Sequence, residues 1–267
     1  MLRDIAQALE AGGMDFATLA THLISQPLNT LPDHPLHHYF GPFREPLILF
    51  AYLSASTSRI VFRSSIMILP AYPTTLAAKQ AADVSIMSDG RLELGVGISW
   101  NPREYSALGQ DFTNRGKRLE EQVSLLRRLW TEPFVTFQGK YHQLEEMGLN
   151  QLPPRIPLLL GVGTSDYLLR RAARLGDGWL PLGDPVESIA KLKGFIEEEG
   201  RDPAGFLING QLMLGQTGPQ EWVEKVRRLH DAGVTDVEIF PGRGAPTGLA
   251  AAELLLQARN VLKEEFG

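Results

Sequence analysis

Two glycine-bearing runs and one histidine hold most of the chemistry this sequence offers. The first run is Gly95-Val96-Gly97-Ile98-Ser99-Trp100, reached through an apolar alternation that begins at Leu92. The second is Gly161-Val162-Gly163-Thr164-Ser165, reached from Ile156 and followed by the helical pattern DYLLRRAARL. Glycine at a strand end lets a ligand approach the backbone, and the N–H groups opening the next helix attract an anion. Thr164 or Ser165 adds a hydroxyl, so the second run suits a phosphate. It equally suits a tight βα turn capped by Thr or Ser, which needs no ligand. In the first run, Gly95, Gly97 and Ser99 leave room for a ligand beside the strand. Trp100 then walls a pocket or simply packs in the core. Two such strand ends suggest a ligand with a phosphate or an extended polar chain.

His22 stands just past the apolar run DFATLA. An imidazole there can act as acid or base near neutral pH or hold an oxyanion, and it can equally be an ordinary loop or core group. His34, His37 and His38 cluster in the next segment, but no acid pattern accompanies them, and solvated loop histidines are the plainer reading. Arg103, Arg115 and Arg118 follow the first run, and Arg170 and Arg171 the second. They are placed to meet phosphates or an acidic tail, although most are expected on solvated helix faces. Asp177, in the GDGW segment, is expected to fix its turn. Nothing resembles a catalytic triad, a paired-carboxylate site or a zinc motif.

The elements that position these residues alternate. Residues 4–10 predict a helix stopped by Gly12-Gly13, and 15–20 a strand. Residues 25–45 have no period and are rich in Pro, His and Asn, so they predict a long loop over the mouth of the fold. A buried helix follows over 47–56, then a strand over 59–69, a helix over 73–86 and the strand 92–97. Residues 98–114 are a polar stretch leading to a helix over 113–130, with Leu119, Val123, Leu126 and Trp130 on one face. Residues 131–155 form an irregular insertion with a small hairpin over 135–144. Strands at 157–162, 178–181, 206–214 and 234–240 then alternate with helices, one of which begins at Asp184-Pro185-Val186-Glu187 with the grammar of a capped start. The last helix spans 249–266. Alternation of this kind means a parallel sheet. About seven units over 267 residues favour a single-domain TIM (β/α)8-type barrel over a doubly wound sheet. The chain opens with a helix, so the first strand of such a barrel is missing from the pattern.

Composition narrows the function. Twenty-six basic and 31 acidic residues give a net charge of −5, with no basic block, which disfavours nucleic acid or an anionic membrane as the main partner. There is no cysteine, so no disulfide, thiolate metal site or cysteine nucleophile. The N-terminus lacks an apolar signal core, and the longest apolar run, 46–55, is about half of the ~20 residues a bilayer span needs. A cytoplasmic protein acting on a small molecule is expected.

The runs GVGISWNPREYSALGQDFTNRG and LLLGVGTSDYLLRRAARLGDGWLP, with the histidine in ATHLISQP, resemble the bacterial luciferase-like flavin oxidoreductases and monooxygenases. The likeness covers nearly the whole chain from Asp4 to about Phe240, and the wording is nearest the branch named for deazaflavin (coenzyme F420). The resemblance implies a TIM barrel with the cofactor across its C-terminal face, F420 or alternatively FMN, and commonly a homodimer. It implies that Gly95, Gly97, Ser99, Trp100 and Gly161, Val162, Gly163, Thr164 and Ser165 contact the cofactor, with His22 near its reactive edge. Ser65 and Ile66 match the place where the family forms a bulge behind the ring, in many members with a non-proline cis peptide; a plain strand is the alternative. Members that use a carboxylic acid as proton donor carry Glu just after the first glycine motif. Here Trp100 stands there, and the next acid is Glu104. The resemblance implies an oxidoreductase that uses reduced F420 to transfer hydride to or from a small organic substrate, with an FMN-dependent monooxygenase as the alternative. A barrel that binds flavin, or only partners, without turnover is a second alternative, which this departure and the missing strand favour and the intact glycine motifs oppose.

Overall fold

The computed structural model describes residues 1–24, 43–215, 217–242 and 244–267. The loop expected over 25–45 therefore lies outside the described residues except for 43–45, as do His34, His37 and His38.

The first half is built by helices that bury one apolar face each. α1 (Leu2–Ala11) leads through Gly12 and Gly13 into β1 (Phe16–Leu19). α2 (Pro46–Ser54) begins at a proline that has no N–H to satisfy, and the Glu45 carboxylate accepts from the Ile48 amide at 2.7 Å. It buries Leu47, Phe50 and Leu53, with the Phe50 ring stacked on Phe62 of β2 (Val61–Ser64). α3 (Thr74–Met87) buries Ala77, Ala78, Ala81 and Ala82, small residues that let it lie close to its neighbours. After β3 (Leu92–Val96) come α4 (Pro102–Ala107) and α5 (Arg115–Thr131). α5 buries Leu119, Val123, Leu126 and Trp130 as its periodicity requires, and the Trp130 indole donates to the Ala78 carbonyl at 3.0 Å.

β4 (Val135–Gln138) and β5 (Gln143–Met147) pair as the expected antiparallel hairpin, apart from the main sheet. The second half continues with β6 (Leu158–Val162), α6 (Asp166–Leu175), β7 (Gly178–Pro181) and α7 (Val186–Glu198). β8 (Leu207–Met213), α8 (Pro219–Ala232), β9 (Asp236–Phe240) and α9 (Leu249–Phe266) complete it. Seven parallel strands run in the order β1-β2-β3-β6-β7-β8-β9, a nearly closed barrel with helices between the strands. No backbone ladder joins β1 to β9 among the described residues. α1 and α9 pack together at this seam, where a Cβ on Gly12 would strike Leu256 and one on Gly13 would strike Arg259.

Two expectations are corrected. The strand read over 59–69 stops at Ser64: the Ser65-Ile66 peptide is cis, Met67 makes only an isolated bridge to Val96, and Leu69–Ala71 is a short 3-10 turn around Pro70. The polar stretch 98–114 is not all loop, because α4 lies inside it, started by Asn101 as N-cap and Pro102 in the first turn.

Inside the barrel a charged cluster spans the seam. Arg63 of β2 donates to Glu93 of β3 at 2.6 Å and, with both terminal nitrogens, to Asp236 of β9 at 2.9 and 3.1 Å. Asn209 of β8 adds a bond to Asp236 at 2.6 Å, and the Ser65 hydroxyl donates to Glu238 of β9 at 3.0 Å. Burial alone lowers the Arg63 pKa, but the bonds and charges of Asp236 and Glu93 outweigh it and raise it. Burial raises the Glu238 carboxyl above its ordinary value; bonds from Thr18 and Ser65 and the Arg63 charge offset only part of this. The folded state thus holds the Glu238 proton more tightly than the unfolded chain. This contribution to stability is full below the ordinary glutamate pKa and is lost as pH rises through the raised one. Glu238→Gln is therefore expected to match the wild type in the acid range and to exceed it increasingly toward neutral pH, as measured by urea unfolding across a pH series. A difference that does not vary with pH would remove Glu238 as the titrating group.

Candidate active site at the barrel mouth

The C-terminal ends of β1, β2, β3 and β6 are neighbours, so the residues that follow them share one arc of the barrel rim. His22, just past β1, sits there with its side chain 22% exposed, and its Nδ1 lies 3.1 Å from Glu104 Oε2. Its ring meets Phe43 and Trp100 edge-on, with centroids at 5.1 and 5.9 Å. Glu104 is completely enclosed. Its other oxygen accepts from the Leu23 amide at 2.5 Å and the Ile24 amide at 3.4 Å. The short helix α4 that carries Glu104 is itself pinned to the first glycine run, because the Tyr105 hydroxyl donates to the Ile98 carbonyl at 2.6 Å. Tyr105 is fully buried against Phe112, and burial pushes its phenol pKa up, so it stays a donor.

The floor of the mouth is made by Ile66. A Cβ added to Gly97 would lie 2.9 Å from Ile66 Cδ1, and one on Gly161 would lie 2.5 Å from Ile66 Cγ2. Both glycines are thus needed so that β3 and β6 can close around one side chain. Gly95 is deeper: a Cβ there would strike the Ser64 carbonyl and Leu180, so its role is strand packing inside the barrel. Ser99 has φ 55°, a strained conformation for a residue with a Cβ, and its buried hydroxyl has no partner among the described residues.

Gly163 is the open member of the set. A Cβ there would meet only Leu168, at 3.6 Å. Thr164 and Ser165 are exposed, and Ser165 caps α6 without a side-chain bond to the helix, its carbonyl accepting from the Leu168 amide at 2.9 Å. Val162 is buried and structural, its carbonyl accepting from the Trp179 indole at 3.0 Å. Asp166, an acid in the first turn of α6, is neutralised by Lys191 at 2.9 Å. Gly163, Thr164 and Ser165 therefore fit a phosphate.

The five arginines divide. Arg170 is paired with Glu198, and Arg171 is buried between Glu120 and Tyr167. Arg118 is also buried and donates to the Pro70 carbonyl. The expectation of solvated faces thus fails for Arg118 and Arg171, whose guanidinium groups tie helices together. Arg115 lies over the Phe112 ring at 3.6 Å, and Arg103 is exposed on α4. Asp177 fixes its turn as expected, accepting from the Leu158 amide at 2.8 Å and from Arg127 at 2.9 Å. The structure thus brings together His22, Ser99, Trp100 and the Gly97–Ile66–Gly161 contact along one arc of strand ends. It adds Glu104 as a partner of His22. The sequence did carry a signal for Glu104: Asn101-Pro102-Arg103-Glu104 repeats the N-cap, proline and N3-acid pattern seen at Asp184. Among the described residues no group of three or more His, Asp or Glu is placed to hold a metal.

The family model described as luciferase-like monooxygenase matches residues 1–230. An uncharacterized protein of Mycobacterium tuberculosis is 36% identical over 245 residues, covering 87% of this chain and 82% of its own. The F420-dependent hydroxymycolic acid dehydrogenase of the same organism is 29% identical over 205 residues, covering 74% of this chain and 54% of its own. The FMNH(2)-dependent dimethylsulfone monooxygenase of Pseudomonas fluorescens is 27% identical over 191 residues, 70% of this chain and 49% of its own. Among solved structures, an F420-dependent secondary alcohol dehydrogenase holding an F420-acetone adduct shares the fold at a TM-score of 0.81 and 16% identity, covering 97% of this chain and 94% of that one.

The Ile66 contact makes a testable claim about the floor. Gly161→Ala is expected to cost about 1–3 kcal/mol by overpacking. In an Ile66→Ala background, where Cγ2 is gone, most of that cost should disappear. Denaturant unfolding of the four proteins of the cycle measures this, and additive costs would place Ile66 elsewhere.

Proposed function

The chain belongs to the luciferase-like monooxygenase family, and from that premise we propose that it is an oxidoreductase using the deazaflavin F420 to transfer hydride to or from a small organic substrate. The observation that carries this reading is His22: it stands at the barrel mouth with Nδ1 engaged by Glu104, and Nε2 has no hydrogen-bond partner among the described residues. Gly163, Thr164 and Ser165, at the start of α6, would hold the cofactor phosphate. Ile66, with Ser65 behind it and Gly97 and Gly161 beside it, would back the ring; Ser99 and Trp100 would wall it. When bound, the deazaflavin supplies the hydride acceptor or donor. The protein's own part is the proton. In alcohol oxidation His22 Nε2 takes the hydroxyl proton as the C–H electron pair leaves with its hydrogen, and in the reverse direction it returns that proton to the alkoxide. Trp100 and Phe43 shield the imidazole on two sides and limit its contact with water.

An FMN-dependent monooxygenase is the second reading, and one observation favours it. The longer, acidic tail of the deazaflavin wants a basic exit, yet Arg170 and Arg171 are committed to Glu198 and Glu120. Arg103 and Arg115 are the remaining candidates to meet it. In either reading the substrate is a small molecule, the family suggests a homodimer, and a cytoplasmic location is part of the proposal. Among the described residues no helix is long and apolar enough to cross a membrane.

Parallel fluorescence titrations with F420 and FMN test the assignment. Micromolar binding of the deazaflavin supports it, tight FMN binding without deazaflavin binding reverses it, and binding of neither leaves a barrel without this chemistry. With a turnover assay in hand, His22→Ala is expected to lower kcat by about 10²–10⁴ with cofactor affinity unchanged.

A further inference from the structure

We propose that Glu104 is a positioning residue that fixes the His22 imidazole in one tautomer, with the proton on Nδ1 and the lone pair of Nε2 turned to the mouth. The proposal deepens the reading of His22 given above and rests on it. Glu104 is enclosed, with its side chain at 0% exposure, and its two oxygens are divided between two tasks. Oε1 faces the Leu23 and Ile24 amides at 2.5 and 3.4 Å. A backbone N–H can only donate, so Oε1 must accept, and this fixes how the carboxylate is turned. Oε2 is then left against His22 Nδ1 at 3.1 Å. A carboxylate has no hydrogen to give, so Nδ1 must carry one, and in the neutral ring Nε2 must then be bare.

The rest of the surroundings leave this assignment to Glu104. Phe43 and Trp100 meet the ring edge-on. The nearby Glu45 carboxylate is occupied, accepting from the Tyr72 hydroxyl at 3.2 Å and from the Ile48 amide at 2.7 Å. The Tyr72 phenol is pushed up by burial and by the charges of Glu45 and Glu104, so it remains a donor to Glu45. Glu104 is held in turn by α4, through Tyr105 on the Ile98 carbonyl and the Asn101 cap on the Arg103 amide. One helix turn thus connects the first glycine run to the exit of β1. The acid absent directly after the glycine motif, where Trp100 stands, has a counterpart of a different kind: Glu104 reaches the mouth through the imidazole.

Glu104→Gln separates this role from mere support. The glutamine oxygen must still accept from the Leu23 and Ile24 amides, so its NH2 group is forced against Nδ1. Nδ1 then has to accept, and the proton moves to Nε2. The tautomer is read directly by two-bond ¹H–¹⁵N spectra of the cofactor-free protein labelled at histidine, at a pH that keeps the imidazole neutral, with the His22 signals assigned from their loss in His22→Gln. The Nδ1–H form is expected in the wild type and the Nε2–H form in Glu104→Gln. A dominant Nε2–H form in the wild type overturns the proposal without need of any variant, and so does an unchanged tautomer in a folded Glu104→Gln. Since neither spectrum requires cofactor, failure here is distinct from failure of the cofactor titrations. In turnover, Glu104→Gln is expected to lose about 10²-fold or more in kcat with little change in KM. An equal loss in thermal stability and activity, with the tautomer unmoved, would return Glu104 to a structural tether.

Discussion

A single buried guanidinium links the two edges of this sheet from inside. Among the described residues β1 and β9 share no backbone ladder, and Arg63 spans the interval by gripping Asp236 on one side and Glu93 on the other. An arginine this deep is tolerable only because two carboxylates and the Phe16 ring, 4.0 Å from its guanidinium carbon, replace its water. The cluster also explains why the barrel interior is polar where many barrels hold branched aliphatic side chains. Asn209 and Glu238 belong to the same solution: once one charge is admitted, its neighbours must be able to answer it.

Above that layer the packing changes from charge to fit. Ile66 fills the space that Gly97 and Gly161 vacate, and this brings the ends of β2, β3 and β6 to one level. The rim groups then take their places from helices rather than strands. α4 sets Glu104, Glu104 sets the backbone of Leu23 and Ile24, and His22 follows from both. The His22 imidazole therefore takes its place from the buried Glu104 as much as from the strand it follows.

Much of this was legible in the sequence because it is local. The start of α7 just after Asp184-Pro185, the extent of α9 and the β7 strand GWLP follow from turn chemistry and periodicity over a few residues. The glycine runs, His22 and the turn-fixing Asp177 were visible for the same reason. What was not legible depends on partners far along the chain. Arg63 and Glu238 look like the solvent-facing members of alternating strands, and only barrel closure turns that alternation inward. In the sequence Glu104 is only the next acid after Trp100, since its partners lie about 80 residues earlier. The α4 helix was lost in a polar stretch because six residues give too short a window for a helical period. Periodicity puts Arg170 and Arg171 on different sides of α6 without saying which is inside, and it is Glu120 of α5 that draws Arg171 into the helix layer.

The seam has a bearing on the order in which the molecule is made. Arg63 and Asp236 are 173 positions apart, and α1 packs on α9 as well as on α2. On a ribosome, the strand carrying Arg63 emerges long before the carboxylate that answers it, and the open side of α1 waits for the final helix of this chain. The intermediate lengths cannot profit from closure, because the contacts that close the barrel join its first and last portions. Closure of the barrel thus rests on pairings far apart in sequence, the kind that form slowly because a long loop must be ordered first.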